Sequence, residues 1–386
     1  MIKSFQFYSA GRIIFGSGTF QQIGKLAAEF GKKVLVVTSQ GSLRQTGVLA
    51  QLEKSLQETN CQFDYFSKVT AEPTVEMVDE GAVLARKNSY DLIIGIGGGS
   101  QIDAAKAISG LATNHGSVLD YLEGVGTGAT IKLTALPCIA IPTTAGTGAE
   151  VTKNAVIASR KLKFKKSLRS PYLIPDIALV DPVLTQTLPP QPTAFSGMDA
   201  LTQCIESYAS QKSQALTDIL ALQGIKLGAR SLLKAFQDGT NLEAREEMAF
   251  CSLLSGLSLA NAGLGAAHGL GAALGALFGI SHGLACAVML PKIMHANYET
   301  LPEKFAQIGE ALTGQRFTSS EAAAKAGVVF IQNLANQLAI PKRLGELGIK
   351  PADIPAIVKN SGGSSMSGNP RQFSAAELTQ LLTEML

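Results

Sequence analysis

Through the first half of the chain, short runs of apolar residues alternate with longer stretches whose apolar positions recur every three or four residues. Residues 33–38 (Lys-Val-Leu-Val-Val-Thr), 92–96 (Leu-Ile-Ile-Gly-Ile) and 138–141 are almost continuously apolar, the pattern of strands buried on both faces. Between them, 48–58, 75–87 and 103–112 carry helical periodicity. That alternation predicts an α/β domain built on a doubly wound parallel sheet.

The pattern changes after Asp181-Pro182. The segment through Pro189, Pro190 and Pro192 reads as a connection, and from 193 to 290 there is no proline while helical periodicity takes over. Two domains are predicted, an α/β domain over 1–184 and a mostly helical one over 185–386. A chain of 386 residues is longer than a single core usually serves, which favours the same division.

Residues 248–290 contain no Asp, Glu, Lys or Arg, and Gly271, Gly275 and Gly279 repeat at the spacing that packs transmembrane helices. The stretch is nevertheless crowded with Gly, Ala and Ser and interrupted by Asn261, His268 and His282. Closely packed buried helices explain it better than a membrane span.

Composition narrows the function classes. With 46% hydrophobic and 16% charged residues the chain lies far from the signature of disorder. A net charge of +3, with one short basic run at 160–169, is too small for a nucleic-acid footprint, so a small-molecule partner is expected. The five cysteines are odd in number and form no C-x-x-C pair, which reads as reduced structural thiols in a cytosolic protein. The N-terminal residues show no export signal, and a cytoplasmic location is expected.

Two glycine-rich turns follow predicted strands. Gly97-Gly98-Gly99-Ser100-Gln101-Ile102-Asp103 leads from the strand at 92–96 into a helix, an arrangement in which backbone N–H groups can meet a pyrophosphate. The G-x-G-x-x-G spacing is absent, and a tight turn alone would explain the glycines. The second turn, Pro142-Thr143-Thr144-Ala145-Gly146-Thr147-Gly148, offers three hydroxyls at another strand end. Two such turns in one sheet fit a long phosphate-and-ribose ligand, a dinucleotide.

In the helical half, Asp199 and Gln203 share a helix face, with Glu206 one turn on. His268 and His282 stand in the uncharged stretch, each followed by glycine. Two imidazoles, a carboxylate and an amide oxygen would suit Fe(II) or Zn(II), whose open position polarises a carbonyl or alkoxide oxygen. Either histidine alone would pass for a satisfied core residue. A buried Asp199, however, needs a cation or a donor. His115 and His295 read as structural.

With these residues in view, the chain resembles the iron-containing (group III) alcohol dehydrogenase family nearly end to end. The matching pieces are G-R-I-I-F-G-S-G at 11–18, G-G-G-S-x-x-D-x-x-K at 97–106, P-T-T-A-G-T-G-A-E at 142–150, G-M-D-A-L at 197–201, the two His-Gly motifs at 268–283, and S-G-N-P-R at 367–371. The resemblance implies a dehydroquinate synthase-like architecture, a dinucleotide-binding α/β domain followed by an all-α domain carrying a divalent metal. It implies hydride transfer between NAD(P) and a small primary alcohol or aldehyde by an oxidoreductase that forms homodimers.

Carried over by position, Gly98, Gly99 and Ser100 would hold the cofactor's pyrophosphate, and Asp103 is counted among the cofactor-binding residues. Thr143, Thr144 and Thr147 would line its groove, and Val156 and Lys165 would stand near the nicotinamide ribose. Asp199, His268 and His282 fall on metal-ligand and catalytic positions. The turn after the strand at 33–38 reads Ser39-Gln40-Gly41-Ser42-Leu43-Arg44, with no carboxylate to repel a 2′-phosphate, so Ser39, Gly41 and Ser42 join the cofactor contacts and NADP(H) is favoured over NAD(H).

Two positions depart from the family pattern. Gln203 stands where the family usually has a histidine ligand; it is counted here among the metal ligands, and an amide oxygen is the poorer donor. Ala272 stands where many members carry a further histidine, which removes that proton relay. Three alternatives follow: a metal-independent reductase resembling maleylacetate reductase, a lyase resembling dehydroquinate synthase, and a non-catalytic dinucleotide-binding protein.

Overall fold

Val34, Leu35, Val36 and Val37 are all fully buried. Val34 and Val36 pack with Leu92, Ile94 and Ile96 on one face, while Leu35 and Val37 pack with Ile93 and Ile108 on the other. A strand apolar on both sides belongs in the middle of a covered parallel sheet. The structure is a computed structural model and describes residues 4–39, 41–70, 72–159, 161–162 and 164–386. Gln40 of the turn after the strand at 33–38, and Arg160 and Lys163 of the basic run, lie outside the described residues.

The strands are β1 (Arg12–Phe15), β2 (Lys33–Val37), β3 (Gln62–Phe66), β4 (Leu92–Gly97), β5 (Cys138–Pro142), β6 (Asn154–Ser159), β7 (Phe164–Arg169) and β8 (Ile177–Val180). Among the described residues six of them form one sheet in the order β1-β8-β5-β4-β2-β3, with every pairing parallel. β6 and β7 form a separate antiparallel pair with Val156 opposite Ser167.

Helices α1 (Ile23–Ala28), α2 (Ser42–Gln45) and α3 (Val48–Glu58) follow β1 and β2, α4 (Val75–Asn88) follows β3, and α5 (Gly99–Thr113) follows β4. Side chains of α1 and α3 cover one face of the sheet, those of α4 and α5 the other. The chain steps outward from β2 to β3, crosses back to β4, and continues to β5. Its direction therefore reverses between β2 and β4, and the carboxyl ends of strands flanking such a reversal are where open α/β sheets take ligands.

The remaining helices are α6 (Pro190–Ala209), α7 (Ala215–Gln237), α8 (Leu242–Ala262), α9 (Ala266–Phe278), α10 (His282–Asn297), α11 (Pro302–Thr313), α12 (Ser320–Gln337), α13 (Ile354–Asn360) and α14 (Ala375–Thr383). They share one apolar core. The chain divides into two compact units, one of Tyr8–Thr144 with Gly148–Thr187, the other of Leu188–Leu386 with Ala145–Thr147 and the segment ending at Phe7.

The uncharged stretch spans most of α8, all of α9 and the first half of α10, and its residues are buried along most of that length. Among the described residues no single helix is long and apolar enough to cross a membrane; α8 and α9 pass only as a pair bent by 100°. The glycine ladder does not form one packing stripe either. Gly271 lies against Cys286, whereas Gly279 ends α9 in a left-handed conformation.

Candidate metal centre and cofactor turns

Asp199, Gln203 and Glu206 lie on α6 at spacings of four and three, so their side chains share one face. His268 sits in the first turn of α9, and His282 opens α10. A Cβ at Gly283 would lie 2.2 Å from the Phe195 carbonyl oxygen, so glycine is what lets α10 start this close to α6. The His268 Nε2 lies 3.3 Å from Asp199 Oδ1, the His282 Nε2 3.8 Å from the same oxygen, and the two rings are 5.3 Å apart. Donor atoms of Asp199, His268, His282 and Cys286 all lie within 4.8 Å of one another. Asp199 and His268 side chains are 3% exposed and that of His282 is 33% exposed, so the cluster meets solvent at His282.

Glu206 organises this cluster. Its carboxylate accepts from the backbone N–H of Gly265 at 2.9 Å and of Ala267 at 2.6 Å, capping α9, and from His268 Nδ1 at 2.6 Å. With Nδ1–H committed to Glu206, Nε2 is the ring nitrogen that faces Asp199. A lone pair and a carboxylate oxygen at that separation need a proton or a cation between them. Two imidazoles and one carboxylate with a solvent-facing side fit a divalent first-row ion.

Gln203 holds Asp199 in place. Its amide nitrogen donates to Asp199 Oδ2 at 3.1 Å and its oxygen accepts from Ser255 Oγ at 2.7 Å. The expectation that Gln203 offers its oxygen to a metal differs from this arrangement, because the carboxylate demands a donor and so turns the amide nitrogen inward. Burial disfavours the charged form of Asp199, but His282, His268 and Gln203 outweigh it and hold the carboxyl below its ordinary value.

The cofactor turns lie at the carboxyl ends of β2, β4 and β5. Gly97 has φ +147°, and a Cβ there would meet the Gln101 side chain at 2.7 Å, so this turn is closed to other residues. Gln101 accepts from the Gly98 N–H at 2.9 Å and donates to the Val69 carbonyl at 2.7 Å, fixing the turn. α5 is buried from Gln101 to Ala112, whereas Gly98, Gly99 and Ser100 are half-exposed. The accessible part of this helix is thus its N-terminus, where unpaired N–H groups favour an anion.

The Thr143 N–H donates to the Gly97 carbonyl at 2.8 Å, and the Thr144 side chain is in ordinary contact range of Gly98. Thr147 falls in the helical unit. Ser39 makes an isolated bridge with Lys68, and Gly41, at φ +115°, leads into α2 with Ser42 exposed.

Asp103 faces inward. It accepts from the Val156 N–H at 2.9 Å and from the fully buried Lys106 ammonium at 3.1 Å, so its position holds β6. Lys165 is ion-paired with Glu72.

Residues 10–182 match the iron-containing alcohol dehydrogenase family, and 193–386 match the C-terminal region of the Fe-containing alcohol dehydrogenase family. The chain belongs to the iron-containing alcohol dehydrogenase family. It is accordingly an oxidoreductase of the alcohol dehydrogenase class. Choline dehydrogenase of Bacillus subtilis is 37% identical over 362 residues, 93% of this chain and 89% of that protein. The crystal structure of 1,3-propanediol oxidoreductase superposes with a TM-score of 0.94 at 34% identity, covering 100% of both chains. A sulfoacetaldehyde reductase from Bifidobacterium kashiwanohense, solved in complex with NAD+, gives a TM-score of 0.89 at 29% identity over 100% of this chain and 99% of that one.

Within this alcohol dehydrogenase, sequence reasoning left two residues of the cluster without a role. Glu206 was visible one turn beyond Gln203, and only the fold of α9 onto α6 gives it work. Cys286, grouped with the structural thiols, stands four residues after His282 and so on the same helix face. That spacing was the available signal.

Proposed function

We propose that this alcohol dehydrogenase interconverts a small primary alcohol and its aldehyde, using NADP(H) in preference to NAD(H) and a divalent metal, Fe(II) or Zn(II), held by Asp199, His268 and His282. The observation that carries the metal is the convergence of these three donors, with Glu206 holding the outer nitrogen of His268. Held by Asp199, His268 and His282, a divalent ion would supply a Lewis acid for the substrate oxygen, and a bound nicotinamide would supply or take up the hydride.

The chain's own residues bind and orient. Gly99 and Ser100 present N–H groups to the pyrophosphate, with Gly98, its own N–H held by Gln101, giving the close backbone approach, and Thr143, Thr144 and Thr147 line the groove. Val156 and Lys165 serve the nicotinamide end, with Asp103 holding β6 at the Val156 N–H. Ser39, Gly41 and Ser42 receive the adenosine ribose, and Arg44, exposed and stacked 5.4 Å over Tyr65, stands ready for a 2′-phosphate.

Ala272 is exposed and has no group to carry a proton, so water or a ribose hydroxyl takes that part. The relatives act on alcohols as different as choline and 1,3-propanediol by name, which supports the reaction and leaves the alcohol to the pocket. A cytoplasmic homodimer is the expected working form.

NADPH and NADH oxidation with a panel of short aldehydes, alongside metal analysis, tests this reading. Turnover with bound metal is expected, faster with NADPH; no turnover with any carbonyl substrate sinks it. Gln203 in place of an imidazole favours one second reading, metal-independent reduction. Full activity in chelator, with His268→Ala lowering the rate but not the metal content, would select it.

A further inference from the structure

Four donor atoms, not three, converge in this cluster, that of Asp199 included. Cys286 is completely buried, its Sγ lies 3.8 Å from His282 Nε2, and it shares the 4.8 Å cluster with Asp199 and both histidines. The i, i+4 spacing of His282 and Cys286 puts their donors side by side on one helix face. Space for the sulfur comes from the neighbouring helix, because a Cβ at Gly271 would sit 3.0 Å from Sγ. The other cysteines lack such surroundings; Cys204, for one, has the Cys251 carbonyl as its partner.

We infer that Cys286 is the fourth protein donor of the metal centre, making it a carboxylate, bis-imidazole, thiolate site that selects Zn(II) over Fe(II). This rests on the metal reading above and deepens it. Gln203 cannot complete the set while its oxygen is taken by Ser255 and its nitrogen by Asp199. A thiolate is the softer donor and shifts preference towards zinc. With Asp199 it balances a dipositive ion in a site where unpaired charge is costly. Four protein donors do not shut out substrate, since zinc takes a fifth ligand in catalytic sites and the cluster is open at His282.

The full chain, stripped with chelator and titrated with Co(II) and Zn(II), tests the inference. One equivalent of Co(II) should produce a near-ultraviolet sulfur-to-metal charge-transfer band. Cys286→Ser should bind Co(II) without that band and bind Zn(II) at least about tenfold more weakly. X-ray absorption on the wild-type zinc protein needs no variant and should show one sulfur at about 2.3 Å.

Metal that binds in a His268-dependent way with no sulfur in its shell, or a band that survives in Cys286→Ser and Cys286→Ala, overturns the inference and leaves the metal reading standing. A wild-type chain that takes up no metal overturns both.

Discussion

Glu206 and His268 are joined at 2.6 Å, and the same carboxylate caps the helix on which that histidine stands. One side chain therefore fixes both where α9 begins and which nitrogen of its imidazole faces Asp199. A substitution there is expected to change the stability of α9 and the affinity for a metal at Asp199 and His268 together.

Replacing Glu206 by Ala leaves the Gly265 and Ala267 N–H groups and the His268 Nδ1–H without their buried acceptor. The expected loss is about 2–4 kcal/mol in denaturant unfolding. Glu206→Gln should cost less stability but lower Zn(II) affinity about 10–100-fold, measured by competition with a chelator, because the amide no longer enforces the tautomer.

Gln203→Ala should leave the protein folded and weaken metal binding by about tenfold, since Asp199 loses the donor that orients it. Unchanged affinity would show that Asp199 is held by its other neighbours alone.

Lys106 is fully buried and donates to Asp103, to the Ala149 carbonyl at 2.9 Å and to Thr152 Oγ1 at 2.8 Å. Lys106→Ala removes the cation but leaves the carboxylate, and urea unfolding should register a loss of about 3–5 kcal/mol. Because Asp103 also holds β6, cofactor affinity should fall in the same variant.

Glu150 should make stability pH-dependent. Burial pushes its carboxyl up to about 7 from an ordinary 4.5, against the lowering effect of a backbone hydrogen bond and Lys106. The folded value lies above the unfolded one, so between them the native state binds more protons. Stability from this group is present below about 4.5 and is lost as pH rises through about 7. Glu150→Gln should flatten that slope and recover at most about 3 kcal/mol at alkaline pH. Parallel stability profiles of the two proteins from pH 4 to about 9 would check it.

Cofactor choice should turn on the end of β2. Arg44→Glu is expected to lower kcat/KM for NADPH by at least about tenfold while raising it for NADH, as a carboxylate at that turn repels a 2′-phosphate and bonds a 2′-hydroxyl. Equal effects on both cofactors would remove Arg44 from the discrimination.

The order of residues was enough to determine the centre of the sheet, the glycine turns and the identity of most donors. β2, β4 and β5 are apolar on both faces, a pattern only a covered parallel strand requires, and Gly97 with its neighbours marks the turn that follows. Edge strands were not legible. β1 is exposed at three of its four residues, β3 has one buried residue in five, and β7 carries Lys165, Lys166 and Arg169, so none shows the continuously apolar run that marks the central strands.

The partnership within the metal cluster was decided by tertiary structure alone. Asp199, His268 and Cys286 lie on three helices, and nothing in local periodicity states which faces of α6, α9 and α10 meet. Once they meet, buried charge and unpaired N–H groups dictate the rest. Gln203 turns its nitrogen to Asp199, Glu206 caps α9 and holds His268, and a thiol that reads as core filling stands beside two imidazoles.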